Sequence, residues 1–140
     1  ELPHRLQHVV THNQLEFIND SKATNLTALQ FALNKMINPY VLILCGDPSK
    51  EQYNSYEISG PTKVYIFGKY AVEISKKVFH PKTILLRNQG LSSVMDTIFK
   101  DEYHHQTNIL FSPGHPSGKD YKNFEERGDH FIKLASCSNG

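Results

Sequence analysis

The run Tyr-Val-Leu-Ile-Leu-Cys at residues 40–45, entered from Pro39 and closed by Gly46-Asp47-Pro48, decides the fold. It is apolar without interruption, which suits a strand covered on both faces, and such strands belong to the interior of a parallel sheet. Similar runs recur at residues 64–67 before Gly68, at 83–86, and at 108–111 before Ser112-Pro113-Gly114. Helical patterns separate them. Leu26, Leu29, Leu33 and Met36 form a stripe that stops before Asn38-Pro39, where proline disfavours helix in the residue ahead of it. A second helix is predicted over roughly residues 69–78, a third from the spacing of Leu91, Val94, Met95, Ile98 and Phe99, and a last one from Phe124, Gly128, Phe131 and Ala135. Ahead of all these, residues 6–18 alternate around a polar Asn13-Gln14 turn and read as a hairpin. The sum is an α/β domain: a mostly parallel sheet of about six strands, an antiparallel N-terminal hairpin at its edge, and helices on both faces. Residues 1–140 are expected to form one domain.

Composition narrows the function. Fifteen Lys and Arg against fourteen Asp and Glu leave a net charge of +1, with no polybasic block, which argues against a nucleic-acid partner. No apolar run approaches the ~18 residues of a membrane span. Cys45 and Cys137 match no metal spacing and are expected to be thiols in a reducing, cytoplasmic setting. The chain has no initiator Met and is expected to be part of something longer.

In sheets of this type ligands sit beyond the carboxyl ends of the strands. Three polar segments fall there: residues 19–25, 46–50 and 112–123. In the first, Asn-Asp-Ser-Lys-Ala-Thr-Asn enters a helix whose unpaired first-turn amides, together with the Lys22 ammonium, could hold a carboxylate or phosphate. The plainer alternative is capping by Thr24 or Asn25 with Asp20 and Lys22 as an exposed ion pair. The long 112–123 loop suits an anion equally, or is a solvated connection rich in turn formers. Glu125 and Glu126 complement the dipole of the helix they open. Of eight histidines, His4, His8 and His12 would share one strand face; no zinc spacing exists, and exposed or loop positions are expected for them. There is no Gly-x-x-x-x-Gly-Lys-Ser/Thr, no Gly-x-Gly-x-x-Gly and no Gly-x-Ser-x-Gly, so nothing here holds a nucleoside triphosphate unaided.

Taken together, Leu-Pro-His-Arg at 2–5, Phe-Ile-Asn-Asp-Ser-Lys-Ala-Thr-Asn at 17–25 with the Ala-Leu helix after it, Ser-Pro at 112 and Lys-Asn-Phe-Glu-Glu-Arg-Gly-Asp at 122–129 resemble the C-terminal domain of the D-glutamate-adding branch of the Mur ligase family. The resemblance runs almost end to end. It implies a Rossmann-like third domain of a three-domain, ATP-dependent ligase of peptidoglycan synthesis. Such an enzyme phosphorylates the alanyl carboxylate of UDP-MurNAc-L-alanine, and the amine of D-glutamate then attacks the acyl phosphate. By position, Lys22, Ser117 and the Phe124 backbone would bind D-glutamate, Asp20, Thr24 and Asn25 would shape the Lys22 loop, and Arg5 would help the domains close. ATP and Mg2+ would be held by the absent central domain, with no metal or cofactor in this one. The full protein is expected to be a cytoplasmic monomer, and the domain alone inactive.

Two stretches depart from the family pattern. Gly114-His115-Pro116-Ser117-Gly118 stands where Ala-x-Ala-Ser is usual, followed by Lys119 in place of an aspartate, and Lys50 is displaced by a residue from its place in a Gly-Gly-x-x-Lys-type loop. The alternatives are an autonomous module for an anionic metabolite and a degenerate, non-catalytic paralogue.

Overall fold

A computed structural model describes residues 2–51 and 55–137. The order of elements is β1 (Gln7–His12), β2 (Leu15–Asn19), α1 (Leu26–Lys35), β3 (Tyr40–Leu44), β4 (Tyr56–Glu57), β5 (Lys63–Gly68), α2 (Ala71–Lys77), β6 (Val78–Phe79), β7 (Thr83–Arg87), α3 (Leu91–Lys100), β8 (Thr107–Phe111) and α4 (Phe124–Cys137). Six strands form the sheet in the order β1-β2-β8-β3-β5-β7. Only the β1–β2 hairpin is antiparallel; every other pairing in the sheet is parallel. The expected architecture is the observed one.

The alternation inside each apolar run sorts the core into two layers. Val41, Ile43, Tyr65, Phe67, Ile109 and Phe111 point to one face and pack against Leu91, Met95 and Ile98 of α3 and Phe131 of α4. Their neighbours Leu42, Leu44, Val64, Ile66 and Leu110 point to the other, against Leu29 and Leu33 of α1 and Ile74 of α2. All five residues of β3 are buried, as a central strand between two helix layers requires. At about 25 cal/mol per Å² of apolar area, such doubly covered strands supply most of the driving force for folding.

Three local differences from the sequence reading have simple causes. The second helix starts at Ala71 and stops at Lys77, because Val78 is extended and begins β6, which pairs with β4 in a separate two-stranded sheet. Two-residue strands carry no periodicity to read. His4 does not share a strand face with His8 and His12: it precedes β1 with a φ of 64°, and a register shift between His8 and Val10 breaks the alternation beyond it. His4 and His115 are loop residues, yet both are buried.

Among the described residues no helix is long and apolar enough to cross a membrane, and Cys45 and Cys137 are free thiols.

Candidate functional site

Adjacent β2 and β8 send their chains to opposite faces, β2 to α1 and β8 to α4, which makes the carboxyl edge between them the switch point where sheets of this type have their ligand crevice. Here the two loops are tied together, the Gly114 amide donating to the Ala23 carbonyl at 2.9 Å. Residues 20–25 form one wall and 112–123 the other.

The first wall is built on buried polar groups. Asn19 donates from Nδ2 to His4 Nδ1 at 2.8 Å and to Gln7 Oε1 at 3.1 Å, and its Oδ1 accepts the Ser21 amide. Gly128, inside α4, leaves the space that His4 occupies; a Cβ there would collide with the imidazole. Asp20 is buried and accepts from the Leu6 amide at 3.0 Å and the Ser112 hydroxyl at 2.7 Å. The exposed Asp20–Lys22 ion pair is therefore not what forms, because desolvation turns the carboxylate inward to donors that do not depend on a flexible side chain. Burial lifts its pKa above the ordinary carboxylate value, and Ser112, the Leu6 amide and Arg5 pull it back. Asn25, rather than Thr24, caps α1, accepting the Ala28 amide at 2.8 Å. Lys22 is exposed, with its ammonium 5.8 Å from the Phe124 ring centroid. Arg5 is exposed as well.

Arg127 joins the walls. It is wholly buried, and its guanidinium donates to Ser21 Oγ at 2.9 Å, to the Ser21 carbonyl at 2.7 Å and to the His115 carbonyl at 3.0 Å. Ser21 Oγ in turn donates a hydrogen bond to the Phe124 carbonyl at 2.8 Å. This latch was not singled out as a site in the sequence, where Arg127 reads as one more charge in a helical first turn; its place in the 122–129 motif was the available signal.

The second wall holds Ser117, which is 7% exposed and whose Oγ is buried without a hydrogen-bond partner. Lys119 is exposed, and its amide is held by the Tyr70 hydroxyl at 2.9 Å. The neighbouring Asp120 turns inward, with Oδ1 accepting the Lys69 amide at 2.8 Å, and burial raises its pKa. Where α4 begins, Asn123 Oδ1 accepts the Glu126 amide and Glu126 Oε1 accepts the Lys122 amide, a reciprocal cap. Of the candidate residues, the fold thus brings Lys22 beside Phe124, while Ser117 stands two residues beyond His115, whose carbonyl Arg127 binds.

A cavity of about 610 Å³ lies at the amino end of the sheet around His12, Phe99 and Tyr103, and one of about 440 Å³ lies between the ends of β5 and β7, against Asp120 and Tyr121. Size does not settle which concavity matters: the first has the strand ends that α/β sheets do not use. Among the described residues no group of three or more His, Cys, Asp or Glu is placed to hold a metal.

The fold is that of a Rossmann-like domain whose polar loops after β2 and β8 meet at the carboxyl edge of the sheet. Along nearly its whole length the chain is a homologue of a domain-sized stretch of UDP-N-acetylmuramoylalanine–D-glutamate ligases of the Mur ligase family. It is 37% identical over 138 residues to the ligase of that name from Buchnera aphidicola subsp. Acyrthosiphon pisum (strain Tuc7), covering 95% of this chain. Against those of Thermosynechococcus vestitus and Prochlorococcus marinus (strain MIT 9312) the identity is 32% and 30% over 142 residues, covering 95% and 97% of it. The chain spans 30% of the length of each of these relatives. No protein-family model matches it.

Proposed function

We propose that residues 1–140 are the C-terminal, D-glutamate-binding domain of a three-domain ligase that joins D-glutamate to UDP-MurNAc-L-alanine in the cytoplasm. The observation that carries this reading is the similarity to ligases of that name over 95–97% of the chain. The crevice agrees with it. D-glutamate brings two carboxylates, and it needs two separated donors. Lys22 offers an unburied ammonium to one, and Ser117, with the first-turn amide of Phe124, offers neutral donors to the other. A hydroxyl that is desolvated and unpaired is costly to keep, and a carboxylate oxygen would satisfy it. Two-point holding fixes the amine for attack on the acyl phosphate.

In this reading ATP and Mg2+ supply the activation of the alanyl carboxylate as a phosphate and are held by the central domain of the full protein. Asp20, Thr24 and Asn25 shape the Lys22 loop, and Arg5, exposed next to it, is placed to meet a neighbouring domain. The full protein acts as a monomer in this reading.

The deciding experiment is an amide-forming assay of the full-length protein with ATP and UDP-MurNAc-L-alanine, offering D-glutamate against other amino acids. Product with D-glutamate alone is the expected result, and equal use of neutral amino acids would contradict it. One observation favours a second reading, the degenerate paralogue: Lys119 takes the usual aspartate position while Asp120 faces inward. A full-length protein that binds D-glutamate but forms no amide would select it.

A further inference from the structure

His115 stands in the stretch that departs from the family pattern, and it is wholly buried. Its Nδ1 lies 2.8 Å from the Pro113 carbonyl and 3.2 Å from the Cys45 carbonyl. Both are acceptors, so the proton of the neutral ring is on Nδ1. Nε2 is then a lone pair, and the Tyr56 hydroxyl, 3.3 Å away, donates to it. The ring therefore ties three places together: its own loop, the end of β3, and β4. Around it the pieces fit closely. Asp47 donates its amide to the Pro116 carbonyl at 2.8 Å, and a side chain on Gly46 would collide with that same carbonyl.

We propose that His115, as the Nδ1–H tautomer, is the positioning residue that seats the 112–123 loop, and hence Ser117, on the end of β3, and that a second proton on the ring releases the loop. The proposal rests on the reading of Ser117 as a ligand group for its functional meaning, but not for its structural content.

The charges facing the ring decide the direction. Arg127 of α4 donates to the His115 carbonyl, and Lys77 of α2 adds a second cation. Asp47 is the nearby anion, and it is already engaged with the Ser49 amide. Cys45 is a buried neutral thiol, held uncharged by burial, and Tyr56 is a partly buried phenol whose pKa desolvation raises. A second imidazole proton would place a charge in a dry site beside two cations and turn Nε2 from an acceptor into a donor, so that the Tyr56 hydroxyl has to reorient to accept from it. Burial and these cations hold the ring neutral below its usual range, against the Pro113 and Cys45 carbonyls, which favour the charged form. Release accordingly belongs to pH below the ordinary imidazole midpoint and the seated loop to pH above it.

Nitrogen-resolved NMR of the chain between pH 4.5 and 8 tests this. The His115 ring is expected to show the Nδ1–H tautomer at neutral pH, and the amides of Gly114, Ser117 and Gly118 to shift with the same midpoint as the ring. In His115→Asn, whose Nδ2 can donate where Nδ1 does, those amides should match the parent at pH 7.5 and stay flat on acidification. Tyr56→Phe removes the partner of Nε2 without touching the latch and should move the loop's midpoint by roughly half a unit. An Nε2–H tautomer, loop amides that ignore the ring's titration, an unmoved midpoint in Tyr56→Phe, or an equal titration in His115→Asn would each overturn the proposal. If His115→Asn does not fold, the tautomer and the Tyr56→Phe midpoint still decide it.

Discussion

Arg127 takes a charge into the interior and bonds three uncharged acceptors there, two of them on the loop after β2 and one on the loop after β8. Hydrogen bonds from a charged donor are worth more than neutral ones, and losing this donor leaves buried carbonyls unpaired. Arg127→Met should therefore cost about 3–5 kcal/mol in a urea titration, and a cost under about 1 kcal/mol would mean that the two walls hold without it. Asp20 tests burial in the opposite sense. Its folded-state pKa is raised, so between the unfolded value near ~4 and the raised one the folded chain binds more protons than the unfolded chain. Stability contributed by this group is thus highest below that window and falls as pH rises through it. In Asp20→Asn, whose amide can still accept from Leu6 and meet Ser112, that fall should disappear: the difference in unfolding free energy between variant and parent should move in favour of the variant from pH 3.5 to pH 7. Neither residue's burial was legible in the sequence. A lone Asp next to a Lys and a lone Arg after two Glu look like surface chemistry, because what buries them lies some 90 to 106 positions away, in Ser112 for Asp20 and in Ser21 for Arg127.

At the scale of elements, every helix and each strand of the main sheet was legible, since their signals are local: uninterrupted apolar runs for the strands and three-or-four spacing for α1, α3 and α4. What was not legible were β4 and β6, whose existence depends on two distant dipeptides meeting, and the way the loops close over the strand ends. That closure is where one residue does much for a whole segment. Gly46 ends the strand that decides the fold with a φ of 102°, and a Cβ on it would lie 2.9 Å from His115 Cβ besides colliding with the Pro116 carbonyl. A side chain here faces strained backbone and an occupied space at once. Gly46→Ala should cost more than about 2 kcal/mol in a thermal or urea melt and loosen the 112–123 loop, read as faster amide exchange at Ser117. A neutral substitution would show that the loop can lift off β3 freely, and the seating of Ser117 would then need another cause.

For the molecule as a whole, the question is how much of a binding site one domain of this kind can hold. The crevice wall carrying Lys22 has a single exposed cation, and an exposed charge pair is worth only ~0–1 kcal/mol; Ser117 adds one neutral donor and the Phe124 amide another. Their sum is far short of the roughly 8 kcal/mol of micromolar affinity. The chain alone should accordingly bind D-glutamate no better than millimolar by calorimetry and hydrolyse no ATP. A dissociation constant tighter than about 10 µM would mean that the site is complete without any other domain and would favour the autonomous module. In the proposed full-length ligase the same ammonium would sit in a closed, drier site, where a charge-assisted bond is worth about 1.5–3 kcal/mol. Lys22→Ala there should raise the D-glutamate KM on the order of tenfold or more and lower kcat, through lost charge and lost positioning, while leaving the melting temperature nearly unchanged because the side chain is solvent-exposed. Unchanged kinetics would remove Lys22 from the site. A fallen melting temperature would instead make it structural, and the Lys22 loop would then be scaffold for a site whose charge lies elsewhere on the carboxyl edge.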